Sequence, residues 1–531
     1  MGSTLPKPVM AEVAERHHAK QFQVGVAEVN GWRNSMEDAH LILVREDYGI
    51  FGVFDGHGGD ACSEFAARRL KEEFEKNGRP EDDAAVQKLF FSIDQEFIDS
   101  EKQSGSTATM CIVQKPVAGS KHKLQVINAG DSRVLLGRRD GTIVDGGGTD
   151  KGLTRDHKPE DPLEKQRIER CGGRVEIAQG GVARVNGNLS VCRGFGDRDE
   201  KKTGGPGQAD HPVSVDPEIG YFECDETDFL LLVCDGVSEG NFPNAEVVKL
   251  VADILAKGND AVAAASAVIH KAVEMDSKDN VTCMVVLLSG SAEAEGRTVE
   301  FTPGPIVKIG HKGFREAYSA MSDRAGVTLA EAAAKRYELV EKELKARPHD
   351  QDLQEEAKFM GTPPGAAGSQ ERTAWFQRWL NSLPEEKETG PGGMDMDMMQ
   401  QMMGKGGGKG GGKGGGYGAM GGKGGGSGQA EEREEEERER SEDGYSWSQK
   451  GEEVQIVFKL PAAAAKKDVK IAFKSAGLSV AVSGSALLDG SLGGRIDTDD
   501  CTWCLAGGGT ELQVMLTKSD EKDNWKTLMK A

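Results

Sequence analysis

No stretch of the 531-residue sequence is apolar for long enough to span a bilayer, and its start lacks the short apolar core of a secretion signal. Basic charge is scarce. There are 66 Lys and Arg against 87 Asp and Glu, a net charge of −21. That balance argues against general binding to nucleic acid or anionic membranes and suits the binding of cations. Paired cysteines are also lacking: the nine Cys are odd in number and show no dense spacing. Free thiols in a reducing compartment, cytoplasmic or nuclear, are therefore expected. Gly2 in MGSTLPKP offers an acceptor for myristoylation, but residue 6 is Pro where Ser or Thr is needed. An ordinary N-terminal arm over 1–19 is the better expectation.

What is present begins with short apolar runs and turn signals over 20–290. HLILV (40–44), TATMCIV (107–113), LQVINAG (124–130), FLLLVCDG (229–236) and VTCMVVLL (281–288) read as strands. Residues 84–98 and 244–258 space their apolar side chains as helices, the second from an Asn cap to a terminal Gly. The mixture implies a layered α+β domain with a large core. Over 300–388 the pattern turns helical. Leu329, Ala333, Tyr337, Val340 and Leu344 form one stripe, and Trp375, Phe376, Trp379 and Leu380 another. These stripes are expected to pack on the preceding domain.

Residues 389–444 read as a linker. MDMDMMQQMM (394–403) leads into GKGGGKGGGKGGG (404–416), the start of a flexible Gly-rich tract over 404–428 that spans about 25–30 Å. EEREEEERERSED (431–443) then sets nine acids against three Arg, as a short solvated helix or an acidic brush. With Tyr417 as its one aromatic, the Gly tract is a poor RNA-binding tail. From 445 to 531 a period of two returns in VQIVFKL (454–460), DVKIAFK (468–474), LSVAVSG (478–484), CTWCLAGG (501–508) and ELQVMLTK (511–518). A small all-β sandwich of about seven strands is expected.

FGVFDGHGGD (51–60) raises the chemical question. An apolar run ends in Asp55 and His57 among glycines. Turn chemistry explains the glycines but not two titratable groups at a strand tip. Glu37, Asp38, Asp131, Asp235 and Asp279 also stand in turns or at strand ends. Singly, each reads as a turn residue. Together they describe a site for hard cations such as Mg²⁺ or Mn²⁺, which prefer carboxylate oxygen. Two such ions about 3.5–4 Å apart can activate a water for in-line attack on phosphorus.

RNSMED, FGVFDGHGG, SGSTAT, NAGDSR, LTRDHKP, RVNGNLSVCRGFGD, VCDG and SKDN occur in an order that resembles the metal-dependent protein phosphatases of type 2C, over roughly 20–290. The resemblance implies a central antiparallel β-sandwich flanked by helices and hydrolysis of phosphoserine and phosphothreonine in phosphoproteins. It implies metal ligation by Glu37, Asp55, Asp235, Asp279 and the Gly56 carbonyl, with Asp55 bridging two ions. Arg33 matches the residue that grips the phosphate, and His57 the general acid; Asp38 is grouped with them. A His of ordinary pKa is a usable acid near neutrality. Where the family often has an aromatic and an acid after DG, this chain has DGVSEG. Glu239 is thus expected to stand in for that acid, with Asp131, at a third and weaker ion. RRDGTIVDGGGTDKG (138–152) reads as an inserted loop.

A cysteine mechanism must be weighed against this. The spacing Cys, five residues, Arg occurs at Cys62–Arg68 and Cys192–Arg198. The first has no Gly to cradle a phosphate, the second contains Asp197, and no His precedes either Cys. Both read as chance. The single pair Cys501 and Cys504 is a poor zinc site. YSWSQKGEEVQIVFKLP (445–461), LLDGSLGG and the surroundings of Trp503 resemble a CS domain, as in nuclear distribution protein C relatives and co-chaperones of heat-shock protein 90. That implies a module binding a chaperone of this type or a client protein. The rival to an active phosphatase is a pseudophosphatase scaffold or co-chaperone adaptor. The intact acids argue against it.

Overall fold

The computed structural model describes residues 5–116, 120–178, 181–205, 207–238, 240–290, 295–384, 440–441, 444–450, 453–460, 462, 464, 468–506, 510–519 and 525–530. It contains two compact units, Met1–Gly408 and Lys409–Ala531. Most of the expected linker lies outside the described residues.

The first unit stacks two antiparallel sheets. One has six strands in the order 296–302, 9–18, 23–31, 281–287, 229–233, 133–137, and the other five in the order 218–224, 122–129, 108–114, 48–54, 39–44. Alternate side chains of one strand enter different cores. Leu230 and Leu232 face the other sheet with Phe51, Val53 and Val126. Phe229, Leu231 and Val233 face helices Asn244–Ala256 and Ala261–Glu274. Ile50 and Phe54 likewise meet helices Ala61–Asn77 and Asp83–Asp99. Strands buried on both faces cannot alternate apolar with polar, which is why the sequence shows unbroken runs there.

Several expectations need correction. Residues 9–18 are no arm outside the domain. They form a strand between 23–31 and 296–302. Helix Ala261–Glu274 was not anticipated. Six of its 14 residues are alanine, the best helix former, and Asp260 caps it by accepting from the Ala263 N–H at 2.9 Å. Asn244 does not cap its own helix. The side chain of Asp150, from the inserted loop, accepts from the Asn244 N–H at 2.7 Å, and Asn244 in turn donates to the carbonyls of Thr149 and Asp150.

Helices Lys312–Arg324, Leu329–Ala346, Gln351–Met360 and Gln370–Ser382 form the extension. Ala333, Tyr337, Phe376 and Leu380 share one core with Val9, Ala11, Val13 and Met36. Helix Lys312–Arg324 lies on strand 9–18, while the stripes of Leu329–Ala346 and Gln370–Ser382 pack chiefly on each other.

The second unit pairs a five-stranded sheet (440–441, 445–450, 453–459, 511–518, 496–506) with a three-stranded one (469–474, 477–482, 485–491). Val454, Ile456 and Phe458 stand opposite Leu516, Val514 and Leu512, all buried around Trp447 and Trp525. The first pairing starts inside the acidic block, where Arg440 and Ser441 meet Trp447 and Ser446. Among the described residues no helix is long and apolar enough to cross a membrane.

Candidate metal centre and active site

The acids gather where strands of both sheets end. Asp55 follows strand 48–54, Asp131 follows 122–129, Asp235 follows 229–233, Asp279 precedes 281–287 and Asp38 precedes 39–44. Backbone bonds fix these tips. The Asp55 N–H donates to Thr107 Oγ1 at 3.0 Å, the Thr107 N–H donates back to the Asp55 carbonyl at 2.9 Å, and Thr107 Oγ1 meets Ser132 Oγ at 3.0 Å. The Asp235 N–H points at Asp55 Oδ2 from 3.4 Å. Carboxylate oxygens of Asp55, Asp131 and Asp235 lie within 4.8 Å of one another. An oxygen of Asp55 also lies within that distance of Asp38 and the Cys234 thiol.

Such crowding is costly without a cation. Burial, and then the charges of Asp235, Asp38, Asp279 and Asp131, push the Asp55 carboxyl well above the ordinary range. Burial pushes Asp38 up to about 6, against a 2.6 Å hydrogen bond from Thr282 Oγ1 that favours its charged form. Asp38 Oδ1 is buried with no hydrogen-bond partner. The Cys234 thiol is driven far up by burial and the same acids, so it stays neutral. A cluster of anionic oxygens converging from separate strands fits Mg²⁺ or Mn²⁺.

Glu37 is tied in through Asn280. The Glu37 N–H donates to Asn280 Oδ1 at 2.9 Å, while Asn280 Nδ2 donates to the carbonyls of Asn30 and Ser35. Gly56 is required by closeness. A Cβ there would lie 2.3 Å from the Glu37 carbonyl oxygen, so only glycine lets these two segments touch. Arg33, half exposed, forms an ion pair with Asp279. The extension reaches the site as well. Arg324 pairs with Glu28 at 2.9 Å and donates to the Asp38 carbonyl at 2.7 Å.

Asp131 is paired with Lys158, whose ammonium is favoured by Asp131 and Asp235 against the cost of burial. Any cation at Asp131 must therefore compete with that ammonium. Glu239, its expected companion, lies outside the described residues.

His57 Nε2 stands 2.8 and 3.0 Å from the two carboxylate oxygens of Asp197. Burial alone would lower the imidazole pKa, but Asp197, Asp131 and Glu37 outweigh it and raise it. Asp197, Asn280, Lys158 and Thr107 lie within RVNGNLSVCRGFGD, SKDN, LTRDHKP and SGSTAT, where spacing alone gives them no role. Cys62 and Cys192 are buried, and burial pushes both thiols well above their ordinary range. Neither can be a thiolate nucleophile.

The Protein phosphatase 2C family model matches residues 22–281, and the CS domain model matches 443–518. The chain is 32% identical over 313 residues to Probable protein phosphatase 2C 5 of Paramecium tetraurelia, covering 54% of this chain and 99% of that protein. It is 30% identical over 323 residues to Protein phosphatase 1A of Homo sapiens, covering 56% of this chain and 79% of that one. Among solved structures, a phosphatase from Toxoplasma gondii is similar at 28% identity with a TM-score of 0.49, covering 55% of this chain and 100% of that one.

Proposed function

The chain belongs to the protein phosphatase 2C family and is a protein serine/threonine phosphatase, and we propose that Glu37, Asp55, the Gly56 carbonyl, Asp235 and Asp279 hold two Mg²⁺ or Mn²⁺ ions. Asp131 with Glu239 would hold a third, weaker ion. The observation that carries this reading is the approach of Asp55 and Asp235 oxygens to within 4.8 Å, with Asp131 beside them; among the described residues Glu37 and Asp279 stand outside that cluster. When bound, the ions supply a nucleophilic water near neutral pH and draw charge from the phosphoryl oxygens. The protein does the rest. Arg33 exchanges the Asp279 carboxylate for the substrate phosphate, which its planar guanidinium can grip by two oxygens. His57 delivers a proton to the departing seryl or threonyl oxygen, since an alkoxide is a poor leaving group. Asp38, held by Thr282 and within 4.8 Å of Asp55, adds a further carboxylate to the cation site.

The second unit binds protein, as its CS family implies. We assign it a chaperone of the heat-shock protein 90 type, or a client, as partner, delivered to the first unit by the Gly-rich linker. A phosphopeptide assay with and without chelator, together with Mn²⁺ titration calorimetry on the wild type and on Asp55→Asn, tests the metal reading. Turnover in excess EDTA, or unaltered Mn²⁺ binding by Asp55→Asn, would overturn it.

A further inference from the structure

Three two-residue strands, Gly56–His57, Gly105–Ser106 and Phe195–Gly196, form a small sheet with 105–106 in the middle. His57 and Gly196 stand on opposite sides of Gly105 in register. Asp197 follows at once, and its N–H donates to the Ser104 carbonyl at 3.1 Å. The His57 and Asp197 side chains then meet over Gly105. A Cβ on that glycine would lie 2.2 Å from His57 Nε2 and 2.3 Å from Asp197 Oδ2.

The backbone of Asp197 is in a left-handed conformation, φ +53°, uncommon outside glycine though Asp and Asn take it most readily. A buried lock fixes it there. The Gly196 N–H donates to Asp94 Oδ1 at 2.7 Å, and Lys201 Nζ donates to both Asp94 oxygens and to the Gly194 carbonyl at 2.8–2.9 Å. The Lys201 and Asp94 side chains are 2% and 0% exposed. An ion pair this deep is expensive to build, and what it fixes is the turn that aims Asp197 at His57.

We propose that Asp197 is the positioning residue for His57, holding the imidazole by Nε2 so that Nδ1 presents the proton to the departing seryl or threonyl oxygen. The inference rests on His57 being the general acid. In that step the oxygen of water forms the new bond to phosphorus as the bond from phosphorus to the seryl oxygen breaks. The seryl oxygen leaves with the electron pair and takes the imidazolium proton. The proton lost by water goes to solvent, from which His57 is reloaded.

Asp197→Asn is the variant of choice, because Asn tolerates the left-handed backbone but offers His57 Nε2 one acceptor oxygen where Asp197 offers two. It should lower kcat on a phosphoserine peptide by about tenfold to a hundredfold while changing kcat on p-nitrophenyl phosphate by less than about threefold, since a phenolate needs little proton help. The KM values and calorimetric Mn²⁺ affinity should not move. In a His57→Gln background Asp197→Asn should add nothing. Gly105→Ala, which wedges the pair apart, should reproduce the selective loss and carries the test should Asp197→Asn fail to fold. Equal losses on both substrates, weakened Mn²⁺ binding, or losses that multiply with His57→Gln would overturn the inference. If His57→Gln is itself unselective, the general-acid reading fails. If His57→Gln is selective and Asp197→Asn is not, only the positioning role of Asp197 fails.

Discussion

Both units are built of antiparallel sheets, yet they bury different chemistry. In the first, Glu28, Asp38, Asp94, Asp131 and Glu164 are all buried. In the second, the buried polar residues among those described are Gln449 and Lys518, and no carboxylate is among them. Gln449 is answered from both ends, donating to the Trp525 carbonyl at 2.8 Å and accepting from its N–H at 2.9 Å. Some acids of the first unit are answered as well, Asp94 by Lys201 and Glu28 by Arg324. Asp55 is instead pressed against other carboxylates. A fold that needs only a core has no reason to accept that repulsion. Where acids crowd at the strand ends, stability is given up for a cation site.

The largest effect should come from removing the crowding itself. Asp55→Asn or Asp235→Asn should lower phosphopeptide turnover about a thousandfold or more. In metal-free protein Asp55→Asn should also raise the melting temperature of the first unit, because it deletes a buried repelling charge. A lower melting temperature would mean that Asp55 is structural. Next, His57→Ala should cost about 10²-fold or more on phosphoserine and far less on an aryl phosphate, read from kcat on the two substrates.

The second unit should respond in stability and not in chemistry. Trp447 is 1% exposed, so Trp447→Ala should cost that unit about 3–5 kcal/mol. Denaturant melts should show the loss while aryl phosphate turnover stays unchanged. The smallest effect on small-substrate chemistry is expected from deleting 389–531. Small-substrate turnover should remain within about twofold, while proteins that bind the second unit should be dephosphorylated about 10²-fold more slowly. A rise in small-substrate turnover, strongest at low salt, would show instead that the acidic stretch 431–443 inhibits the site.

Much of the fold was legible because it is written locally. The run 229–233 is apolar throughout and lies between two cores. Val454, Ile456 and Phe458 alternate and face one core. The N-terminal strand was missed because it is completed from far away. Glu12 and Glu15 look like solvent-facing residues, yet the first is bonded by Ser266 and His270, and the second by Arg297.

By itself, the sequence determined which acids stand at strand tips, which segments alternate, where the core of the second unit lies and to which family the first belongs. The first three depend on residues within a few positions of one another, and the family on short motifs in a fixed order. Only the tertiary structure decided which carboxylates meet. Asp197 reaches His57 across 140 positions, Asn280 clamps Glu37 across 243, and Lys158 occupies Asp131 across 27. The physical reason is that such pairs are set by the order of strands in the sheets. Strand 281–287 lies beside 23–31, and 195–196 beside 105–106. That order follows from packing whole faces together, and no local spacing encodes it.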